Sequence, residues 1–293
     1  MSATARDYLE LCKPRVVMLM IITSIAGMYL ASTGSVAWTT LLLGNLGIAL
    51  VSGAAAAVNH VADQHIDKLM RRTHARPMPT GKINSRQSLT FALTLCVLGL
   101  LILYFFINTL TTVLAFISLL GYAIFYTYYL KHATPQNIVI GGIAGAAPPL
   151  LGWTAVSGSI GAGACLLVLI IYIWTPPHFW SLAIYRLEDY AKANVPMLPH
   201  THSVAYTKLH ILLYTILLVC VTVLPFIINM AGLIYLIGVT IANMAFLYYV
   251  LRLYCFDDRQ DAIKTFRFSI TYLGLVFLLL LVDHFYLIYT NTL

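Results

Sequence analysis

The chain has 293 residues, of which 60 % are hydrophobic and only 9 % charged, with a mean hydropathy of +0.87 and a formal net charge of +7. Such values exclude an ordinary soluble domain and indicate a polytopic membrane protein. The basic residues are scattered in short segments between apolar runs, which excludes a basic nucleic-acid-binding domain, and the five cysteines show no spacing that would suggest a disulfide framework or a zinc site.

In chain order, the opening "MSATARDYLELCKPRVVMLM" carries Asp7 and Glu10 and lacks a basic n-region followed by a cleavage site, so the first apolar segment is expected to be a retained span. Nine apolar segments then succeed one another, at about 16–34, 38–58, 88–107, 110–130, 137–156, 160–180, 209–229, 233–251 and 268–289, each near the roughly 20 residues that a bilayer-spanning helix needs. Helices are the expected conformation, because lipid offers backbone groups no water partner and the segments are about twice as long as barrel strands. The expectation is an all-α bundle of nine transmembrane helices in the lipid bilayer, forming one domain over residues 1–293. With nine spans, all 17 Lys and Arg residues fall on one side: in the N-terminus, the 59–87 segment, Lys131, Arg186 to Lys208, and Arg252 to Arg267. By the positive-inside rule that side is cytoplasmic, with the N-terminus, and the C-terminus lies outside a plasma (inner) membrane.

The second segment runs directly into "NHVADQHIDKLMRRTHARPMPTGK", Asn59 to Lys82. Asn59, Asp63 and Asp67 stand at i, i+4 and i+8, sharing one helix face with about 6 Å of rise per step. Two carboxylates and an amide oxygen form a hard, oxygen-only donor set suited to Mg²⁺, which completes its octahedron with water and phosphate oxygens. On spacing alone, a solvated helix end is the competing reading. Acids at a membrane edge are rare unless they line a cavity, however, and Arg71, Arg72, Arg76 and Lys82 follow within 15 residues of Asp67. Guanidinium groups beside metal-binding acids make a combined site for a diphosphate. His60 and His65 lie off that face by helical angle and read as interfacial residues rather than metal ligands.

Farther along, Lys131 follows "YAIFYTYY" and reads either as an ion-pairing residue behind an aromatic wall or as the lysine capping an interfacial belt. The small-residue runs "SGAAAAV" (Ser52 to Val58) and "GGIAGAA" (Gly141 to Ala147) suit close helix packing, with Gly141 and Gly145 in a G-x-x-x-G spacing, or a groove. Pro176 and Pro177 are expected to break the sixth helix just before His178 and to leave carbonyls unpaired near a cavity. Tyr185 and Asp189, four apart, emerge on the cytoplasmic side, so that a second acidic helix end faces the first. Asp283 falls near the outer end of the ninth segment and reads as structural.

Three blocks in order, "NHVADQHID" through "MRRTHARPMPTG", "YTYYLKHATPQNIVIGGIAGAAPPLLGW" and "TPPHFWSLAIYRLEDYAKANVPMLP", resemble the UbiA-type intramembrane prenyltransferases and, within them, the haem-farnesylating branch. They cover Asn59 to Pro199 in patches. The resemblance implies an all-helical bundle that joins farnesyl diphosphate to haem b with Mg²⁺ as cofactor, in the setting of terminal-oxidase haem biosynthesis. It implies that Asn59, Asp63 and Asp67 bind Mg²⁺-diphosphate, that Arg72 and Arg76 contact the phosphates, and that Asp189 belongs to a second metal-binding helix end; Lys82 and Lys131 are further ligand-binding candidates from their charge and position. The superfamily often has a carboxylate pair four apart there, whereas Tyr185 takes the first position here, which leaves the metal count at that end open. His178 is the first choice for a group meeting the porphyrin. Aromatic-acid and chlorophyllide acceptors, and a transporter using intramembrane carboxylates, are the alternatives; against transport, the acids cluster at cytoplasmic ends and not at the midplane.

Overall fold

The computed structural model of the chain describes residues 3–70, 73–193, 195–256 and 258–291. Among the described residues every regular element is helical: α1 (Ala5–Leu11), α2 (Pro14–Leu30), a π-helical turn (Thr40–Gly44) leading into α3 (Asn45–Leu69), α4 (Ser85–Phe106), α5 (Thr109–Leu120), a π-helical segment (Gly121–Leu130) running into α6 (Lys131–Ala133), α7 (Asn137–Gly145), α8 (Pro148–Ser157), α9 (Ala162–Tyr185), α10 (Leu187–Lys192), α11 (Leu198–Thr201), α12 (Val204–Ile227), α13 (Leu233–Cys255) and α14 (Arg259–Asn291). Eight of the resulting rods are long and apolar enough to cross a membrane, and α1 with α2, bent by 55°, brings the number to nine. The all-α, nine-span expectation agrees with this architecture.

Local sequence explains where the rods start. Asn84 and Gln87 close a capping box on α4, Asn108 accepts from the Thr111 N–H at the start of α5, and Ser203 accepts from the Tyr206 N–H at the start of α12. Pro148 begins α8, where its missing N–H costs no intrahelical bond, so the fifth span is broken between Gly145 and Pro148.

Two expectations need correction. The helix break at Pro176 and Pro177 does not occur, and α9 continues to Tyr185. Each proline ring fixes φ near the helical value, and the Thr175 and Ser181 hydroxyls donate to the Ile171 and Pro177 carbonyls at 2.7 and 2.6 Å, so neighbouring hydroxyls bond to the backbone on both sides of the two missing N–H donors. The second span also does not end at residue 58: α3 runs on to Leu69, so the whole Asn59–Asp67 column is helical and is enclosed by neighbouring elements.

Small residues set the closest helix approaches. A Cβ on Gly27 would strike the Pro149 backbone and one on Gly152 would strike the Ser24 backbone, so α2 and α8 touch main chain to main chain. On the other side, α9, α12, α13 and α14 pack around Leu167, Ile170, Trp180, Leu218, Phe246 and Tyr272. The outer surface is apolar, with Leu93, Phe105, Ile117, Ile143, Ile237 and Leu278 exposed, as lipid-facing positions should be.

Candidate active site

The last turns of α3 carry Asn59, Asp63 and Asp67, all buried. Each meets a cation from a different element. Lys13 Nζ, at the kink between α1 and α2, donates to Asn59 Oδ1 at 2.5 Å. Lys131 Nζ, where the π-helical segment ends, lies 2.6 Å from Asp63 Oδ1. Arg76 Nη1 donates to Asp67 Oδ2 at 2.8 Å.

Local structure delivers each of these cations. Lys13 sits in the left-handed region (φ 51°, ψ 59°), an unfavourable conformation for a non-glycine residue, and this turns the chain so that its side chain points back at α3. The buried Thr73 hydroxyl donates to the Asp67 carbonyl at 3.0 Å, folding the loop after α3 back so that Arg76 reaches the Asp67 carboxylate. In the π-helical segment, Thr127 Oγ1 donates to the Tyr122 carbonyl at 2.8 Å and accepts from Asn59 Nδ2 at 3.3 Å, wiring that segment to the column one turn before Lys131. Single π-turns are frequent at functional sites, and this one spans 10 residues.

Beside the column lies an apolar groove enclosing about 600 Å³ of empty space, part of it open to the surroundings. Ser52, Ala55 and Ala56 of α3 form one wall and Ala144, Gly145 and Ala147 another, with Lys13 and Tyr122 also in the lining. The two small-residue runs therefore serve both of their readings. Gly141 packs against the Tyr126 ring, whereas a Cβ on Gly145 would meet nothing within 4 Å. The aromatic run divides in the same way: Tyr122 and Tyr126 stack on each other on the inner side, and Phe125, Tyr128 and Tyr129 are exposed as a belt.

The described partners of the remaining expected residues lie outside the column. Lys82 ion-pairs with Asp7 at 3.2 Å and ties the loop to α1. Asp189 pairs with Arg186 within its own turn at 3.3 Å, and the Tyr185 carbonyl accepts two hydrogen bonds from Arg259. His178 Nδ1 shares a 2.7 Å hydrogen bond with Ser269 Oγ, and its ring stacks between Trp174 and Phe266, so its described partners belong to α9 and α14. Arg72 lies outside the described residues. Of the two histidines placed off the column, His65 is exposed as expected, but His60 is fully buried and is not interfacial. Sequence reading missed Lys13, whose only signal is a cation directly before the proline that starts α2, and Thr127, which needs the π-helical register to be seen.

Comparison with known proteins follows the same lines. The profile of the UbiA prenyltransferase family matches residues 20–287. The chain belongs to the UbiA prenyltransferase family. It is 59 % identical over 280 residues to a protoheme IX farnesyltransferase of Marinobacter nauticus, covering 96 % of this chain and 93 % of the relative. To the protein of that name from Stutzerimonas stutzeri it is 58 % identical over 287 residues, 98 % and 96 % of the two chains. In fold it is similar to the structure of a digeranylgeranylglyceryl phosphate synthase, with a TM-score of 0.80 at 24 % identity, covering 96 % of this chain and 98 % of that one. A UbiA homologue from Archaeoglobus fulgidus bound to GPP and Mg²⁺ has a TM-score of 0.64 at 14 % identity, covering 94 % and 99 %.

Proposed function

We propose that the chain transfers the farnesyl group of farnesyl diphosphate to a vinyl group of haem b, giving haem O with its hydroxyethylfarnesyl side chain. What carries the reading is Lys13, which both donates to the oxygen-donor column and lines the apolar groove, with Lys131 and Arg76 held on the same column. The acceptor follows from relatives 58–59 % identical that are named protoheme IX farnesyltransferase. We assign Asn59, Asp63 and Asp67 to Mg²⁺, with Asp189 as the contribution of the second helix end. The donor set suits that ion, because each column side chain already offers oxygen to a cationic nitrogen. Held there, Mg²⁺ supplies positive charge against a departing diphosphate.

The chain's own residues do the rest. Lys13, Lys131 and Arg76 turn their N–H groups from the column to the diphosphate oxygens and meet negative charge as it builds there, and Arg72 is assigned to the same phosphates. Lys82, on the loop of Arg76, and His178, on the acceptor side, complete the proposed set. The groove takes the farnesyl chain and keeps water from the allylic carbon. The allylic C–O bond breaks and the diphosphate leaves with its electron pair. The vinyl carbon forms the new C–C bond, and the porphyrin-side cation gains hydroxyl from water, releasing one proton. We place the N-terminus in the cytoplasm and the C-terminus outside the inner membrane, so reporter fusions after Leu130 and Leu187 should read cytoplasmic and one after Leu293 periplasmic. Purified protein supplied with farnesyl diphosphate, Mg²⁺, haem b and a hydroxybenzoate should farnesylate the haem. A prenylated aromatic acid with no haem product would overturn the acceptor assignment.

A further inference from the structure

His60 is a buried polar residue that the chemistry above leaves unused. The residue is 1 % exposed, and among the described residues neither ring nitrogen has a hydrogen-bond partner. An orphaned polar group in the interior is unfavourable, and native structures rarely keep one without a use.

Helix geometry places this imidazole at the edge of the column. At about 100° per residue, a series of i+4 steps drifts by about 40° each time, so Asp67 stands about 80° around the axis from Asn59 and His60 about 100°. His60 thus shares an azimuth with Asp67 to within about 20°, and Asp63 is its i+3 neighbour. Its chain neighbour Asn59 accepts from Lys13, and Asp67, on its azimuth, accepts from Arg76. The unpartnered ring therefore stands among groups that a bound diphosphate would engage.

We infer that His60 is a further substrate-binding residue, an imidazole whose ring N–H donates to an oxygen of the bound diphosphate. A neutral imidazole has one donor nitrogen and one acceptor nitrogen, and an ionised diphosphate offers acceptors to the donor. The diphosphate would give the ring N–H the acceptor that no described residue supplies. The inference rests on the diphosphate reading of the column.

The test uses purified full-length protein, with Mg²⁺ and inorganic pyrophosphate as the probe, and measures equilibrium affinity and thermal unfolding for the unaltered chain, His60→Phe, His60→Gln and Asp67→Asn. His60→Phe should raise the Tm of the ligand-free protein, because an apolar ring of similar size replaces an orphaned polar one, and should weaken pyrophosphate binding about tenfold. His60→Gln keeps an N–H donor and should bind within about threefold of the unaltered chain. If His60→Phe binds pyrophosphate normally while Asp67→Asn has lost it, the inference falls and the site reading stands. If His60→Phe and His60→Gln both lower the Tm and weaken binding equally, His60 is a packing residue and the inference falls. No Mg²⁺-dependent affinity in the unaltered chain would overturn the site reading and the inference together.

Discussion

Two of the buried polar clusters in this bundle are built in opposite ways. In the C-terminal half, Tyr272 donates to Asn243 Oδ1 at 2.7 Å, Asn243 Nδ2 donates to Thr222 Oγ1 at 3.1 Å, and Tyr235 donates to the Thr222 carbonyl at 2.7 Å. The carboxylate of Asp283 caps α13 from the neighbouring helix, accepting from the Gly232 and Tyr235 N–H groups. Those partners are short neutral side chains or main chain, and they cannot leave. In the N-terminal half the column of Asn59, Asp63 and Asp67 is held by Lys13, Lys131 and Arg76, long side chains from three other elements. A flexible cation can exchange one anion for another, whereas a backbone N–H cannot be withdrawn without unwinding a helix turn. On the proposed reading the first cluster is architecture and the second is a site, although both are buried and polar.

The largest effect should come from Asp63→Asn and Asp67→Asn. Each keeps side-chain volume and removes a charge, so turnover per folded molecule should fall about a thousandfold or more while membrane insertion survives. Near-normal turnover at limiting Mg²⁺ would erase the distinction between the clusters. The converse variant is Asp283→Ala, which strands two buried N–H groups and should lose about 3 kcal/mol of stability, with turnover per folded molecule unchanged. Chemical denaturation and active-site titration separate the two quantities. A smaller effect is expected from Gly145→Leu, which fills open space in the groove: turnover with farnesyl diphosphate should fall about tenfold and that with a five-carbon diphosphate much less. Equal losses with both chain lengths would place the isoprenoid elsewhere.

The smallest effect concerns the tie between α1 and the loop of Arg76. Hydrogen bonds from Thr4, together with Lys82, hold the Asp7 carboxyl down at about 2. A carboxyl depressed below its unfolded value of about 4 stabilises the fold above that pH, and the contribution is lost as pH falls through about 2. The Tm of the unaltered chain should therefore exceed that of Asp7→Asn at pH 5, with the gap closing between about pH 4 and pH 2. A gap that stayed constant over that range would show that Asp7 acts by packing alone.

Much of this was legible in sequence because membrane spans and phosphate chemistry leave strong local marks. Apolar runs near 20 residues and one-sided Lys and Arg placement locate the nine rods. The spacing of Asn59, Asp63 and Asp67 exposes the column, since it depends on a single helix. The partners were harder, because Lys13 and Thr127 reach it through a kink and a π-helical register, neither of which has a reliable periodicity. His60 was misplaced by treating i, i+4, i+8 as a straight line, when the drift of the helix carries Asp67 round to its side. The Pro176–Pro177 pair misled because hydroxyls in the flanking turns, Thr175 and Ser181, make their own bonds to the backbone around it.

The central claim is that the column takes a metal-bound diphosphate in exchange for its resident cations. It is tested most directly by measuring the affinity of the purified protein for farnesyl diphosphate with Mg²⁺ and after chelation. The account predicts binding that weakens about a hundredfold or more on chelation, about 3 kcal/mol, and recovers when Mg²⁺ is restored. The same affinity with and without the metal would contradict it.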